Sequence, residues 1–106
     1  MDKDKIYVEE IKEFSAKIVE FMAGVNFEQF VQDQKLNLAI VKLIENIGEA
    51  SKRLSEETKG QYPKVDWKKS MAMRDKLVHD YMEVDLAIVY DVAMNEVPAL
   101  LRNLQN

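Results

Sequence analysis

Residues 34–54 read QKLNLAIVKLIENIGEASKRL. Within them Leu36, Ile40, Leu43, Ile47 and Leu54 recur at spacings of four and three, with Ala50 completing the row. That period lines apolar side chains along one side of an α-helix and makes a seam for packing against other helices. Gly48 stands inside the same stretch. A glycine in a helix interior costs about 1 kcal/mol relative to alanine. Close approach of a neighbouring helix is the packing reason it suggests.

The helical period continues on both sides. Between about Lys5 and Met22, Ile11, Phe14, Ile18 and Phe21 recur every three or four residues, and Gly24 follows as a C-terminal stop. Asn26 and Gln29 have capping-box spacing for a short turn carrying Phe27 and Phe30. Downstream, Ser55 to Val65 reads as a polar loop with Gly60 and Pro63 as breakers. Asp66 is a good N-cap for a helix beginning at Trp67. Asp85 is a second N-cap, with Val84 and Val89 spaced as a hydrophobic staple. The last helix carries Leu86, Val89, Ala93, Val97, Leu100 and Leu104, and Pro98 is predicted to kink or divide it. The expected fold is all-α, a bundle of four or five helices forming one domain over residues 1–106.

Composition narrows the function. A 106-residue chain that is 47% hydrophobic builds a modest core, so a partner subunit would help it. With no Cys, disulfides and thiolate metal sites are excluded, and one His excludes a His-rich zinc site within one chain. The charged start, Met1-Asp2-Lys3-Asp4-Lys5, leads into an amphipathic segment rather than a signal-peptide core. No apolar stretch approaches the roughly 20 residues of a membrane span, so no membrane association and a cytoplasmic location are expected. The net charge of −4 argues against a general nucleic-acid binder. Yet Lys59, Lys64, Lys68, Lys69, Arg74 and Lys76 face only Asp66 and Asp75 between residues 59 and 76. This local balance of +4 is either a solvated face or a patch for a phosphate chain.

The residues able to do chemistry concentrate in Arg74-Asp75-Lys76-Leu77-Val78-His79-Asp80-Tyr81. On a continuous helix, Arg74 and Tyr81 are seven apart and share nearly one face. Asp75 and His79 are four apart, so the carboxylate would reach the imidazole, favour its charged form and fix the ring. His79 lies off the Arg74–Tyr81 line, and a symmetric dimer would bring two copies of the motif together. Each residue also has a structural reading. His79 could be a satisfied interior histidine, Arg74 a partner for an acidic residue on a neighbouring helix, and Tyr81 a core aromatic. Lys76 and Asp80 could form a solvated i,i+4 pair.

Arg74, His79 and Tyr81 form R-x4-H-x-Y with a polar residue, Asp75, directly after the arginine. This pattern resembles the signature of HEPN domains. The surroundings resemble the HepT subgroup: Ile47-Gly48-Glu49-Ala50, Val65-Asp66-Trp67, Met82-Glu83-Val84-Asp85 and Val97-Pro98-Ala99-Leu100. The likeness covers nearly the whole chain. It implies a dimeric, metal-independent endoribonuclease toxin paired with a minimal nucleotidyltransferase antitoxin, with RNA as substrate and no cofactor in this chain. Arg74 would clamp the phosphate, His79 would transfer protons and Asp75 would orient it. Tyr81 would accept AMP from the partner and silence the site. Lys68, Lys69 and Lys76 are candidate RNA contacts. Asn is frequent after the arginine in that family, so Asp75 adds negative charge there. The alternative is a non-catalytic helical subunit of a nucleotidyltransferase complex, in which Arg74 and His79 hold nucleotide phosphate without cutting.

Overall fold

The computed structural model describes residues 2–79 and 83–105. Helix α1 spans Asp2–Met22, α2 Phe27–Gln32 and α3 Gln34–Arg53. Asn26 and Gln29 form the expected capping box at α2, and the Asp33 carboxylate caps α3 by accepting from the Leu36 N–H. The expected loop after Leu54 is partly helical, because Ser55 caps a short helix, α4, over Glu56–Gly60. The Ser55 hydroxyl there accepts from the Thr58 N–H, and Glu56 and Glu57 suit the positive end of its first turn.

Asp66 caps the next helix as expected, accepting from the Lys69 N–H. That helix is shorter than the sequence suggests. It runs as α5, Trp67–Met71, and α6, Met73–Leu77, and then gives way to extended backbone. Strand β1, Val78–His79, pairs antiparallel with β2, Glu83–Val84, Val78 opposite Val84 and His79 opposite Glu83. The Asp85 N–H closes this ladder on the Leu77 carbonyl at 3.1 Å. Among the described residues this two-residue ladder is the whole sheet component of an otherwise helical bundle.

Asp85 caps α7, Leu86–Asp91, by accepting from the Ala87 and Ile88 N–H groups. A π-helical segment over Val92–Glu96 follows, and α8, Val97–Gln105, continues from it. Pro98 explains this change of register. It has no N–H to donate, and its ring crowds the carbonyl four residues back, at Met94 inside the widened turn. The expected interruption is thus a π segment just ahead of the proline.

The core lies where α1, α3 and the α7–α8 rod meet. Ile11, Ile18 and Met22 from α1 and Ile40, Ile44 and Ile47 from α3 are essentially inaccessible. So are Leu77, Val89, Val92, Val97 and Leu104. The seam read from α3 is therefore the buried one, with Ile44 added. The stripe on α1 is rotated from its expected position: Phe21 is 42% exposed and Met22 takes its place inside. Tyr90 secures the α2 corner, donating its hydroxyl to the Val25 carbonyl at 2.8 Å and packing on Phe27 and Phe30.

The start of α1 is fastened to α4 by a buried carboxylate. Asp4 Oδ2 accepts from the Ser55 hydroxyl at 2.5 Å and from the Thr58 hydroxyl at 2.6 Å. The Ser55 hydroxyl, then that of Thr58, hold the Asp4 carboxyl below its ordinary value. A lowered native value means that the stabilising contribution is present above the unfolded value and is lost as pH falls through the native one. Asp4→Asn should therefore melt lower than wild type at pH 7. The gap between the two should close on acidification below about pH 4. Paired thermal melts across pH 3 to 7 would check this, and a constant gap would contradict the assignment.

Candidate functional site

The position of Arg74 is set by α3. A Cβ added to Gly48 would lie 3.5 Å from both the Cβ and the backbone N of Arg74, and 3.7 Å from the Met71 carbonyl oxygen. One turn along α3, Ser51 donates its hydroxyl to the Ile47 carbonyl at 2.8 Å. Its oxygen sits 2.7 Å from the Ser70 hydroxyl, which supplies the proton for that contact. Both serines are buried. Small residues at 48, 51 and 70 thus let α5 and α6 lie close to α3 without leaving an unpaired hydroxyl between them. This confirms the close approach inferred from Gly48.

Residues 74 and 76 lie two apart on α6 and so point to opposite sides of it. Arg74 is half exposed, its Nε 3.9 Å from Glu45 Oε2 on α3. A pair this long and this wet is worth about 1 kcal/mol or less, so an incoming anion can take the guanidinium from it. Lys76 points to the π segment and holds Glu96 Oε2 at 2.7 Å. Its expected pairing with Asp80 falls outside the described residues. Of the candidate RNA contacts, Lys68 and Lys69 are exposed on α5, whereas Lys76 is engaged by Glu96. Lys59, counted in the basic stretch, is buried, with Nζ near Met71 Sδ and Glu56.

Asp75 is exposed on α6, while the His79 backbone belongs to β1. The i,i+4 helical relation expected between them therefore does not hold, and neither does the shared helical face of Arg74 and Tyr81. The cause is the end of α6 at Leu77, whose carbonyl accepts from the Asp85 N–H. The fully buried Leu77 anchors this exit in the core. The expectation for Tyr81 lies outside the described residues. Among the described residues no group of three His, Cys, Asp or Glu side chains is placed to hold a metal ion. Likewise no helix there is long and apolar enough to cross a membrane. Glu45 and Glu96, the ionic partners of the motif, were not identified from sequence. Their separations of 29 and 20 residues from Arg74 and Lys76 carry no periodic signal.

An all-helical bundle holding Arg74 beside a small-residue seam, and His79 on the exit from the same helix, is the HEPN class of protein. The chain belongs to the HepT-like family, whose description, ribonuclease HepT-like, matches residues 7–106. It is similar to a protein assigned by name as an RNase in Caldanaerobacter subterraneus subsp. tengcongensis, with 36% identity over 99% of this chain and 94% of that one. A protein with the name ribonuclease HepT from Thermococcus cleftensis is 36% identical over 91% of this chain and 87% of that one. Another, assigned by name as an RNase in Methanocaldococcus jannaschii, is 33% identical over 95% and 84%. No solved structure matches the chain.

The Gly48 contact distances are ordinary van der Waals separations, which makes the site's tolerance calculable. Gly48→Ala should fold unchanged or melt slightly higher, since the methyl fits and alanine gains about 1 kcal/mol of helix propensity. Gly48→Leu should lose about 1–3 kcal/mol by overpacking and displace Arg74. Thermal melts of both variants test this, and an alanine variant as damaged as the leucine one would refute the contact.

Proposed function

We propose that this chain is the toxin of a HEPN/nucleotidyltransferase pair, a dimeric endoribonuclease that cuts RNA without a metal, forming one domain over residues 1–106 and acting in the cytoplasm. The observation that carries the reading is the R-x4-H-x-Y motif, Arg74 to Tyr81, in a chain of the HepT-like family. Its half-exposed guanidinium, only loosely paired to Glu45, supports a phosphate-clamping role.

In the proposed reaction His79 takes the proton of the 2′-hydroxyl, and that oxygen attacks the adjacent phosphorus. The P–O5′ bond breaks, and the leaving oxygen receives a proton from a second His79 across the dimer. Arg74 stabilises the charge that accumulates on the phosphoryl oxygens, through charge-assisted hydrogen bonds. Asp75 acts on His79 through the bend at Leu77 rather than along a helix. The products are a 2′,3′-cyclic phosphate and a free 5′-hydroxyl. AMP placed on Tyr81 by the partner nucleotidyltransferase adds a bulky anion next to Arg74 and blocks the phosphate.

His79→Ala and Arg74→Ala should each lower RNA cleavage by about 10²–10⁴-fold while leaving thermal melts near wild type. Cleavage should survive EDTA, and RNA lacking the 2′-hydroxyl should resist. Wild-type protein that cuts no RNA, with Tyr81 shown free by mass spectrometry, would overturn the reading. The net charge of −4 favours the second reading, a binding subunit that holds nucleotide phosphate without cutting. It predicts no cleavage by wild type and weaker partner binding by both variants.

Regulation and assembly give a separate test. With ATP, Mg²⁺ and the partner enzyme, mass spectrometry should find AMP on Tyr81, and Tyr81→Phe should abolish it. Labelling that persists would move the acceptor to Tyr7, Tyr62 or Tyr90. Light scattering at micromolar concentration should return twice the chain mass, and a monomer would exclude the shared site.

A further inference from the structure

A cleft of about 240 Å³ lies between α5–α6 and the π segment with α8, on the side of α6 away from Arg74. Met73 and Leu100 give it apolar walls, Lys64 and Lys69 lie at its exposed rim, and Glu96 lines it. The Glu96 side chain is 8% exposed, and Lys76 satisfies one of its oxygens. The other, Oε1, is buried and has no hydrogen-bond partner among the described residues. A buried carboxylate oxygen without a donor is rare in a folded protein and marks an unmet demand for an N–H group.

These features define the ligand. Its inner end must bring a neutral N–H donor to Glu96, because Lys76 already balances the charge. Its middle must be flat and apolar enough to lie between Met73 and Leu100. A space of this size takes one ring system rather than a drug-sized molecule. Its outer end must be anionic, to meet two lysine ammonium groups. We infer that this cleft binds one nucleotide unit whose base carries an exocyclic amino group, adenine, cytosine or guanine, with the amino group donated to Glu96 and the phosphate between Lys64 and Lys69. Uracil, which has no exocyclic amino group, is disfavoured. The inference rests on the ribonuclease reading only for the idea that the unit belongs to an RNA chain. In that setting the cleft selects a base on the flank of the motif, and Lys69 acts as a phosphate contact there.

The test uses full-length ¹⁵N-labelled protein titrated with AMP, CMP, GMP, UMP and ribose 5-phosphate, followed by amide shifts. The three amino-base nucleotides should shift Met73, Glu96 and Asn103 saturably, with UMP about tenfold weaker or more, as expected for one lost hydrogen bond to a charged acceptor. Glu96→Gln, of the same size, should erase that preference, because its amide keeps the oxygen on Lys76 and turns a donor to the cleft. Lys69→Ala should weaken all four nucleotides alike. Equal binding of UMP, ribose 5-phosphate binding as well as AMP, shifts confined to the Arg74 face, or unchanged discrimination in Glu96→Gln would each overturn the assignment. So would the absence of shifts at millimolar nucleotide. If Glu96→Gln does not fold, the wild-type comparison of AMP with UMP still decides. Protein that discriminates bases but cuts no RNA removes the ribonuclease reading alone, and protein that cuts RNA without discriminating removes the cleft alone.

Discussion

The structure depends on how closely α3 and the α5–α6 segment approach at Gly48. Helices usually pack 8–10 Å apart because side chains separate them. Here one partner has no side chain at the crossing, and the other presents the backbone N and Cβ of Arg74 directly to it. The buried Ser51–Ser70 pair extends that close contact by a turn and satisfies its own polar atoms. A seam of this kind fixes the rotation of α6. Arg74 must emerge beside Glu45, Leu77 must enter the core, and Lys76 must face Glu96.

The end of α6 then separates the motif into two mechanical parts. Arg74 belongs to a helix held on two sides by packing, whereas His79 sits on extended backbone held by the ladder with β2. A helix would have tied the two residues at a set rise and rotation. An extended exit decouples them, so the spacing between guanidinium and imidazole is set by the β pairing and the Asp85 N–H bond to Leu77. In the proposed reaction this gives phosphate clamping to a stiff element and proton transfer to a segment that pairs locally.

Much of this architecture is legible in the residues, for identifiable reasons. The α3 seam, the caps at Asn26, Asp66 and Asp85, and the closeness at Gly48 are read correctly because period, capping and glycine cost are local properties. The π segment before Pro98 is foreseen as an interruption, though its hydrogen-bonding form is not. The misread parts are those where tertiary contacts override local pattern. Met22 displaces Phe21 because α1 packs on both α3 and α8, a rotation its own stripe does not encode. Helix α4 escapes notice because it is barely longer than a turn and depends on Ser55, whose hydroxyl also binds Asp4. The stop at Leu77 is invisible because Leu77 and Val78 continue a helical pattern, and only the Asp85 N–H shows where the backbone departs. The partners Glu45 and Glu96 are long-range and leave no trace in spacing.

Charge shows how these contacts redefine the patch read from sequence. Between residues 59 and 76 six cations stand against two acids, yet the fold uses part of that excess internally. Lys59 is buried beside Glu56, and Lys76 is bound at 2.7 Å to a mostly buried Glu96. The cations exposed to a polyanion from this stretch are Lys64, Lys68, Lys69 and Arg74. Each phosphate neutralised contributes through counterion release, so a few exposed cations on a chain of net charge −4 give a shallow, general attraction. Strong sequence-independent affinity is therefore not available to this surface. Whatever selectivity it has must come from geometry: a guanidinium exchanged from a weak partner to a phosphate, and a buried carboxylate that one kind of base can satisfy.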